Sequence, residues 1–251
     1  MNTSMSQLRF TLFVIAASLS CIAPAGAEDA LEDPPQPVVV EMFLSQACVA
    51  CPPAADYMMA LADRDDVVAL AWHIDYWDHV AAPNKGRWKD PFAKPAFTQR
   101  QRTYNKKLRG RRALFTPQAI VNGSASIVGS HRDKVDAIIG APRAPGPAPA
   151  IRFAMKEDEL QIAGDNLSSE QMVYVISFRR REETPIEGGS NAGVYFINAN
   201  IVDEFKAMTA AELNAEPFTT KAPEDNRGCA VIIQEPEQGA IAAAAYCPGS
   251  S

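Results

Sequence analysis

Apolar residues run from Pro37 to Leu44 with a single charged side chain, Glu41, among them. A run this short and continuous predicts a strand buried on both faces. Pro52 to Asp63 reads as a helix, with proline tolerated in its first turn because backbone N–H groups have no partner there. Val67 to Tyr76 predicts a second buried strand. Residues 78–94 carry no period, and Pro95 to Leu108 predicts a basic helix. Short strands at Gln118–Val121 and Ser126–Val128 flank Asn122-Gly123, a strong hairpin signal. Ser130, with Asp133 three residues on, opens a further helix as a weak capping box, and Val135, Ile138 and Ile139 supply its inner face. The order is β-α-β-α-β-β-α.

The pattern breaks over residues 141–150, a proline-rich, semi-rigid stretch. Beyond it, residues 151–251 are strand-rich, with candidates at Ile151–Met155, Leu160–Ile162, Met172–Phe178, Gly193–Ile201, Cys229–Gln234 and Ile241–Tyr246. A longer connection occupies residues 202–228. This predicts a small antiparallel sheet or sandwich. The expected organisation is a 37–140 α/β domain, the linker, and a β-rich domain over 151–251.

The first 27 residues change the picture. Arg9 precedes an apolar run from Phe10 to Leu19, and Ala25-Gly26-Ala27 stands before Glu28-Asp29, the plan of a secretory signal cleaved after Ala27. The run is shorter than the ~20 residues a membrane span needs. Cys21 offers a lipidation site, but Ser18 stands where leucine is usual. The expected location is the periplasm or the exterior, with no stable membrane insertion after cleavage.

The chain has 251 residues, 47% of them hydrophobic, and a net charge of −6; losing residues 1–27 removes one basic residue and no acidic one. So acidic a chain argues against nucleic acid or anionic lipid as partner. With three histidines in all, a histidine-rich metal site is excluded. Nothing in the pattern calls for a cofactor or a resident metal.

Export alters the reading of the cysteines. Cys48, Cys51, Cys229 and Cys247 remain, an even number in an oxidising compartment, which favours redox chemistry over zinc at Cys48-Val49-Ala50-Cys51. A strand, a short loop, Cys-x-x-Cys and a helix form the thioredoxin arrangement. A cysteine at a helix N-terminus is held toward its thiolate by unpaired N–H groups and the helix dipole. Cys48 is then the nucleophile and Cys51 the resolving residue. Val49 and Ala50 are uncharged and supply no histidine, so a strong oxidant is not inferred. Thr116-Pro117 stands directly before the hairpin, where the superfamily carries a cis-proline; Thr116 would pair with substrate through its backbone.

Val40 to Ala54 resembles the opening motif of an uncharacterised secreted thioredoxin-like family known as domain of unknown function 1223. His73-Ile74-Asp75-Tyr76-Trp77-Asp78, Asp90-Pro91-Phe92, Phe97 to Gln101 and Thr116-Pro117-Gln118 match in order. The match covers nearly all of residues 38–139, and continues weakly through Pro185 to Val202 and Cys229 to Ala245. Gly188-Gly189-Ser190-Asn191 departs from the family's Gly-Glu-Asn turn. The resemblance implies an α/β thioredoxin-like domain followed by a smaller antiparallel β-rich segment, and a redox role without a defined substrate.

Glu41, seven residues before Cys48, is a candidate acceptor for the Cys51 proton; alternatively it is a structural carboxyl bonded to a donor such as Arg100. His73, Asp75 and Trp77 share one face if the second strand runs that far, as accessory site residues or as anchors of the irregular loop. Arg100, Arg102, Lys106, Lys107, Arg109, Arg111 and Arg112 form either a solvated basic face or a docking face for an acidic partner. Cys229 and Cys247 sum to 476, the constant of an antiparallel hairpin that would set Gln234 opposite Ala242 and let the sulfurs meet as a structural disulfide; a second redox pair is the alternative. Three functions stay open: an exported thiol–disulfide oxidoreductase acting on a disulfide- or thiol-containing partner, a Cu(I) chaperone using Cys48, Cys51 and nearby methionines, and a non-catalytic binding protein stapled by Cys48–Cys51.

Overall fold

Alternation along β1 (Val38–Leu44) sends its side chains to opposite faces of a sheet, and every one of them is buried. Val38, Val40, Met42 and Leu44 pack in one cluster with Cys48, Cys51 and α1 (Pro52–Ala62). Val39 and Phe43 pack in another with Phe97 and Tyr104 of α2 (Pro95–Arg109). The computed structural model describes residue 1 and residues 36–142 and 149–250. Residues 2–35, which include all but the first residue of the expected signal segment, and residues 143–148 of the proline-rich stretch lie outside the described residues.

β2 (Val67–His73) pairs in parallel with β1, and β5 (Gln118–Val121) pairs antiparallel on the other side. Between β2 and α2, a two-residue hairpin of β3 (Ala81–Ala82) and β4 (Gly86–Arg87) orders part of the stretch expected to be irregular. β6 (Ala125–Val128) follows β5 through the Asn122-Gly123 turn. α3 (Arg132–Ile139) starts two residues after Ser130: His131 is its N-cap and no side chain caps it, so the weak capping box does not form.

The second segment contributes β7 (Ala150–Lys156), β8 (Glu159–Asp165), β9 (Met172–Pro185), β10 (Tyr195–Thr209), α4 (Ala210–Ala215), β11 (Phe218–Lys221), β12 (Arg227–Gln234) and β13 (Ile241–Tyr246). β9 and β10 extend well past their expected ends. The far half of β9 is charged and half-exposed, yet stays paired from Arg179 opposite Ile201 to Pro185 opposite Tyr195, and the far half of β10 pairs from Val202 opposite Phe178 to Thr209 opposite Met172. α4 and β11 fill what the pattern read as a connection. A Thr209–Glu212 capping box starts α4, a signal present in the sequence.

The sequence divides the chain at residues 141–150, but the strands on either side share one sheet. Its eight strands run β13-β12-β9-β10-β2-β1-β5-β6, while β11-β8-β7 form a separate three-stranded sheet. The described residues from 36 onward form one compact unit. β10 meets β2 at a single ladder position, Ile201 opposite Ala71. Side chains complete the join: Ala69 N donates to the Tyr246 hydroxyl (2.8 Å), and Asn200 Nδ2 donates to Ala69 O (3.0 Å). Ile176, Phe178, Ala230, Ile232 and Ala244 pack in the same cluster as Val39, Phe43, Leu70 and Trp72. The antiparallel strands therefore cover one face of β1 and β2 as well as extending their sheet. No helix among the described residues is long and apolar enough to cross a membrane.

Cys229 and Cys247 are disulfide-bonded, with Cα atoms 5.3 Å apart. The β12–β13 ladder keeps the sum of 476 from Ala230 opposite Tyr246 to Ile233 opposite Ala243. A register shift then sets Gln234 opposite Ile241 instead of Ala242. The Gln234 side chain is engaged elsewhere, accepting from Arg100 and donating to Tyr104 and to Gly239 O.

Candidate functional site

β1 ends at Leu44, and the chain turns through Ser45–Cys48 before α1 begins. Cys48 and Cys51 are disulfide-bonded, with Cα atoms 5.4 Å apart. Cys51 is the N-cap of α1, and its carbonyl accepts from Ala54 N and Ala55 N. Pro52 and Pro53 have no N–H, so the donors of the helix's first turn are absent or already used. Both cysteines are covered, Cys48 being 1% exposed, whereas Val49 between them is 65% exposed.

The loop before the dithiol is held by residues far away in sequence. Gln46 is the hub. Its N–H donates to Asp90 Oδ2 (2.8 Å), its carbonyl accepts from Asn191 Nδ2 (2.7 Å), and its side-chain Oε1 accepts from Trp88 Nε1 (3.0 Å). Asn191 Nδ2 also donates to Cys48 O (2.9 Å). Asp90 Oδ2 lies 2.7 Å from His73 Nδ1, and both side chains are wholly buried. The other His73 nitrogen is 3.1 Å from Asn198 Nδ2. Asp90 is further fixed by Phe92 N, which donates to Oδ1 (3.0 Å), and by its own N–H, which donates to Asp78 Oδ1 (3.1 Å). Burial raises the Asp78 carboxyl above its ordinary pKa. Buried polar groups this fully satisfied hold one geometry, because losing any partner strands another.

The Thr116–Pro117 bond is cis. Pro117 O accepts from Gly129 N (2.9 Å). Gly129 has no room for a side chain: a Cβ there would collide with Met42 Sδ and press against Pro117 Cβ at 3.3 Å. Met42 belongs to the same buried cluster as Cys48 and Cys51, which puts Pro117 one side chain from the dithiol core. Trp77 Nε1 donates to Thr116 Oγ1 (2.7 Å). Tyr76, next to Trp77, has its hydroxyl pKa pushed up to about 12 by burial.

His73 lies on the dithiol face, but β2 ends there, so the face expected for His73, Asp75 and Trp77 does not continue as strand. Asp75 Oδ1 instead accepts from Thr98 Oγ1 (2.6 Å), in the first turn of α2. Glu41 needs a correction. It alternates with Val40 and Met42 and therefore points to the face opposite the dithiol, where it is fully buried. Arg100 Nε donates to its Oε1 (2.6 Å), Arg100 Nη2 donates to its Oε2 (3.0 Å), and the Tyr104 hydroxyl donates to the same Oε2. Burial by itself lowers the Arg100 pKa, but the Glu41 charge, the neighbouring Tyr104 and Tyr174 and the hydrogen bond to Glu41 together outweigh it, and the net shift is upward. Glu41 is thus a structural carboxylate, unable to reach the Cys51 proton.

Gln46, Trp88, Asp90, Asn191 and Asn198 escaped the reading of the sequence as site residues. Asp90 stood inside a matched motif, Asp90-Pro91-Phe92. Asn191 stood in the glycine-rich turn where this chain departs from the pattern. Among the described residues no group of three or more His, Cys, Asp or Glu side chains is arranged to hold a metal ion.

The family described as "Protein of unknown function (DUF1223)" matches residues 39–234. The X-ray crystal structure of protein AGR_C_4864 from Agrobacterium tumefaciens is similar, at 26% identity and a TM-score of 0.62, covering 84% of this chain and 94% of that one. HBP35 of Porphyromonas gingivalis is similar in fold, at 17% identity and a TM-score of 0.54, over 84% of this chain and 74% of that one. No curated protein matches the chain.

Proposed function

The chain belongs to the DUF1223 family, of unknown function, and from that premise we propose that it is an exported thiol–disulfide oxidoreductase. Its Cys48–Cys51 pair acts on protein or small-molecule disulfides, on a thioredoxin-like β1-to-α3 unit backed by the antiparallel strands. The observation that carries this reading is the pair itself: two cysteines joined across two residues, the second capping α1.

In the reduced protein the Cys48 thiolate attacks one sulfur of a partner disulfide. A Cys48–partner bond forms, and the other partner sulfur leaves as a thiolate that takes a proton from water. Cys51 then loses its proton to water and attacks Cys48 Sγ, which releases the second partner sulfur. Two electrons pass to the partner, and the Cys48–Cys51 bond closes. A dithiol donor must reduce it again, and in the opposite direction the same steps oxidise a partner dithiol. Thr116, tied to Trp77, and Pro117 form the wall a partner's backbone would meet.

In the Cys51→Ser variant, mixed disulfides through Cys48 should accumulate and be visible on non-reducing gels. The further change Cys48→Ser should abolish them, and trapping that survives it would sink the reading. A Cu(I) reading has one observation in its favour: Met42 and Met58 are buried in the same cluster as both cysteines, offering soft donors. Stoichiometric Cu(I) uptake that is lost when both cysteines become serine would select it.

A further inference from the structure

The oxidised dithiol poses a problem of access. Disulfide exchange requires a sulfur to approach Cys48, yet Cys48 is 1% exposed. Trp77, Trp88, Ile186 and Phe196 share its cluster, and only Val49 and Ala50 of the motif face solvent. Part of this cover comes from the far side of the proline-rich stretch.

The turn from Ile186 to Val194 links β9 to β10 and closes on itself. Ile186 N donates to Val194 O (2.9 Å), Gly193 N donates to Ile186 O (2.8 Å), and Val194 N donates to Asn191 O (3.0 Å). Such a turn can move as a unit. Gly189 and Gly193 adopt φ of +71° and +90°, which glycine alone takes without strain. Among the described residues, three hydrogen bonds attach the turn to the first segment: Gly189 N to Lys85 O (3.0 Å), and the two from Asn191 Nδ2 to Gln46 O and Cys48 O. Two of the three come from one side-chain nitrogen and end on the redox loop.

We infer that the Ile186–Val194 turn is a gate over the dithiol and that Asn191 is its latch. The inference rests on the oxidoreductase reading and deepens it: the second segment supplies part of the redox site, and a partner meets Cys48 only after the turn swings aside. Asn191 is a positioning residue. It reacts with nothing, and it ties the turn to the carbonyls of Gln46 and Cys48. Two hydrogen bonds released together hold back exchange by roughly tenfold or more.

The test uses the full oxidised chain with Asn191→Ala and with Asn191→Asp, which keeps the shape but cannot donate. Reduction of each disulfide by dithiothreitol is followed by alkylation and mass analysis, with Cys229–Cys247 as a control within the same molecules. Reduction of Cys48–Cys51 is expected to be at least about tenfold faster in both variants. The control should change by less than about twofold. Unchanged reduction of Cys48–Cys51, or equal acceleration of both bridges, would overturn the gate. Failure of the oxidoreductase reading shows separately: neither variant nor parent would reduce a partner disulfide, while the variants' own dithiol still reacted faster.

Discussion

The two faces of the β1–β2 sheet each carry a buried acid–base pair, and the pairs serve different ends. On one face Glu41 meets Arg100, and the side-chain hydrogen bonds of the pair run on to core side chains, Tyr104 and Gln234. On the other face His73 meets Asp90, and Asp90 spends an oxygen on the backbone of the loop before the dithiol, at Gln46. The first pair ties strand to helix and to β12. The second ties strand to the loop that carries Cys48. Proximity in sequence misleads here, because Glu41 is close to Cys48 along the chain yet lies across the sheet, while Asp90 and Asn191 are distant along the chain and touch the loop.

The largest expected effect lies on the Glu41 face. Arg100→Met leaves Glu41 buried without its counter-charge and should destabilise the fold by about 3–5 kcal/mol in urea unfolding. Adding Glu41→Met should recover much of that loss, since an apolar pair leaves no stranded charge. Neither change should alter how fast dithiothreitol reduces Cys48–Cys51 under native conditions. A large change in that rate would mean the two faces are coupled and would erase the contrast drawn here.

Asp90→Asn should have a smaller effect on stability and a larger one on the dithiol. An amide cannot accept from Gln46 N and Phe92 N and also face His73 Nδ1 as a carboxylate does, so at least one buried group loses its partner. The expected cost is about 1–3 kcal/mol. The loop from Ser45 to Cys48 loses one of its clamps, and the equilibrium of Cys48–Cys51 with glutathione should shift while that of Cys229–Cys247 does not. If both bridges hold their equilibria, Asp90 is structural only, and the two faces differ less than their geometry suggests.

The strands were the legible part of this chain. Apolar runs located β1, β2, β5 and β12, and arithmetic on two cysteines gave the β12–β13 register up to Ile233. It failed at Gln234 because that side chain belongs to the Arg100 network, a tertiary demand invisible to a local sum. The alternation that reveals which face Glu41 occupies was also present in the sequence. The face of the dithiol was not, because Cys48 follows a loop and loops carry no period. Asn191 was visible only as part of a glycine-rich turn, where a small polar residue looks like a turn former. Its significance comes from β10 being placed beside β2, a choice made by side chains such as Asn200 and Tyr246.

The smallest expected effect is a titration within the Glu41 face. Tyr76 packs at the margin of the cluster that holds Trp72 and Tyr104, with its pKa raised by burial to about 12, while Tyr104, fully buried against Glu41 and Arg100, is raised well above 10. A phenol whose folded pKa exceeds its unfolded value of about 10 gives stability that is complete below pH 10 and is lost as pH rises through the folded value. Stability should therefore decline between pH 10 and 12. Tyr76 should ionise first, with the fold still intact around Tyr104. Absorbance at the phenolate band, compared with Tyr76→Phe, should show one early-titrating group missing from the variant. Simultaneous ionisation of all tyrosines in one cooperative step would instead mean that the margin of the Glu41 face opens only together with its centre, and that the Glu41–Arg100 pair holds the whole of that face as one unit.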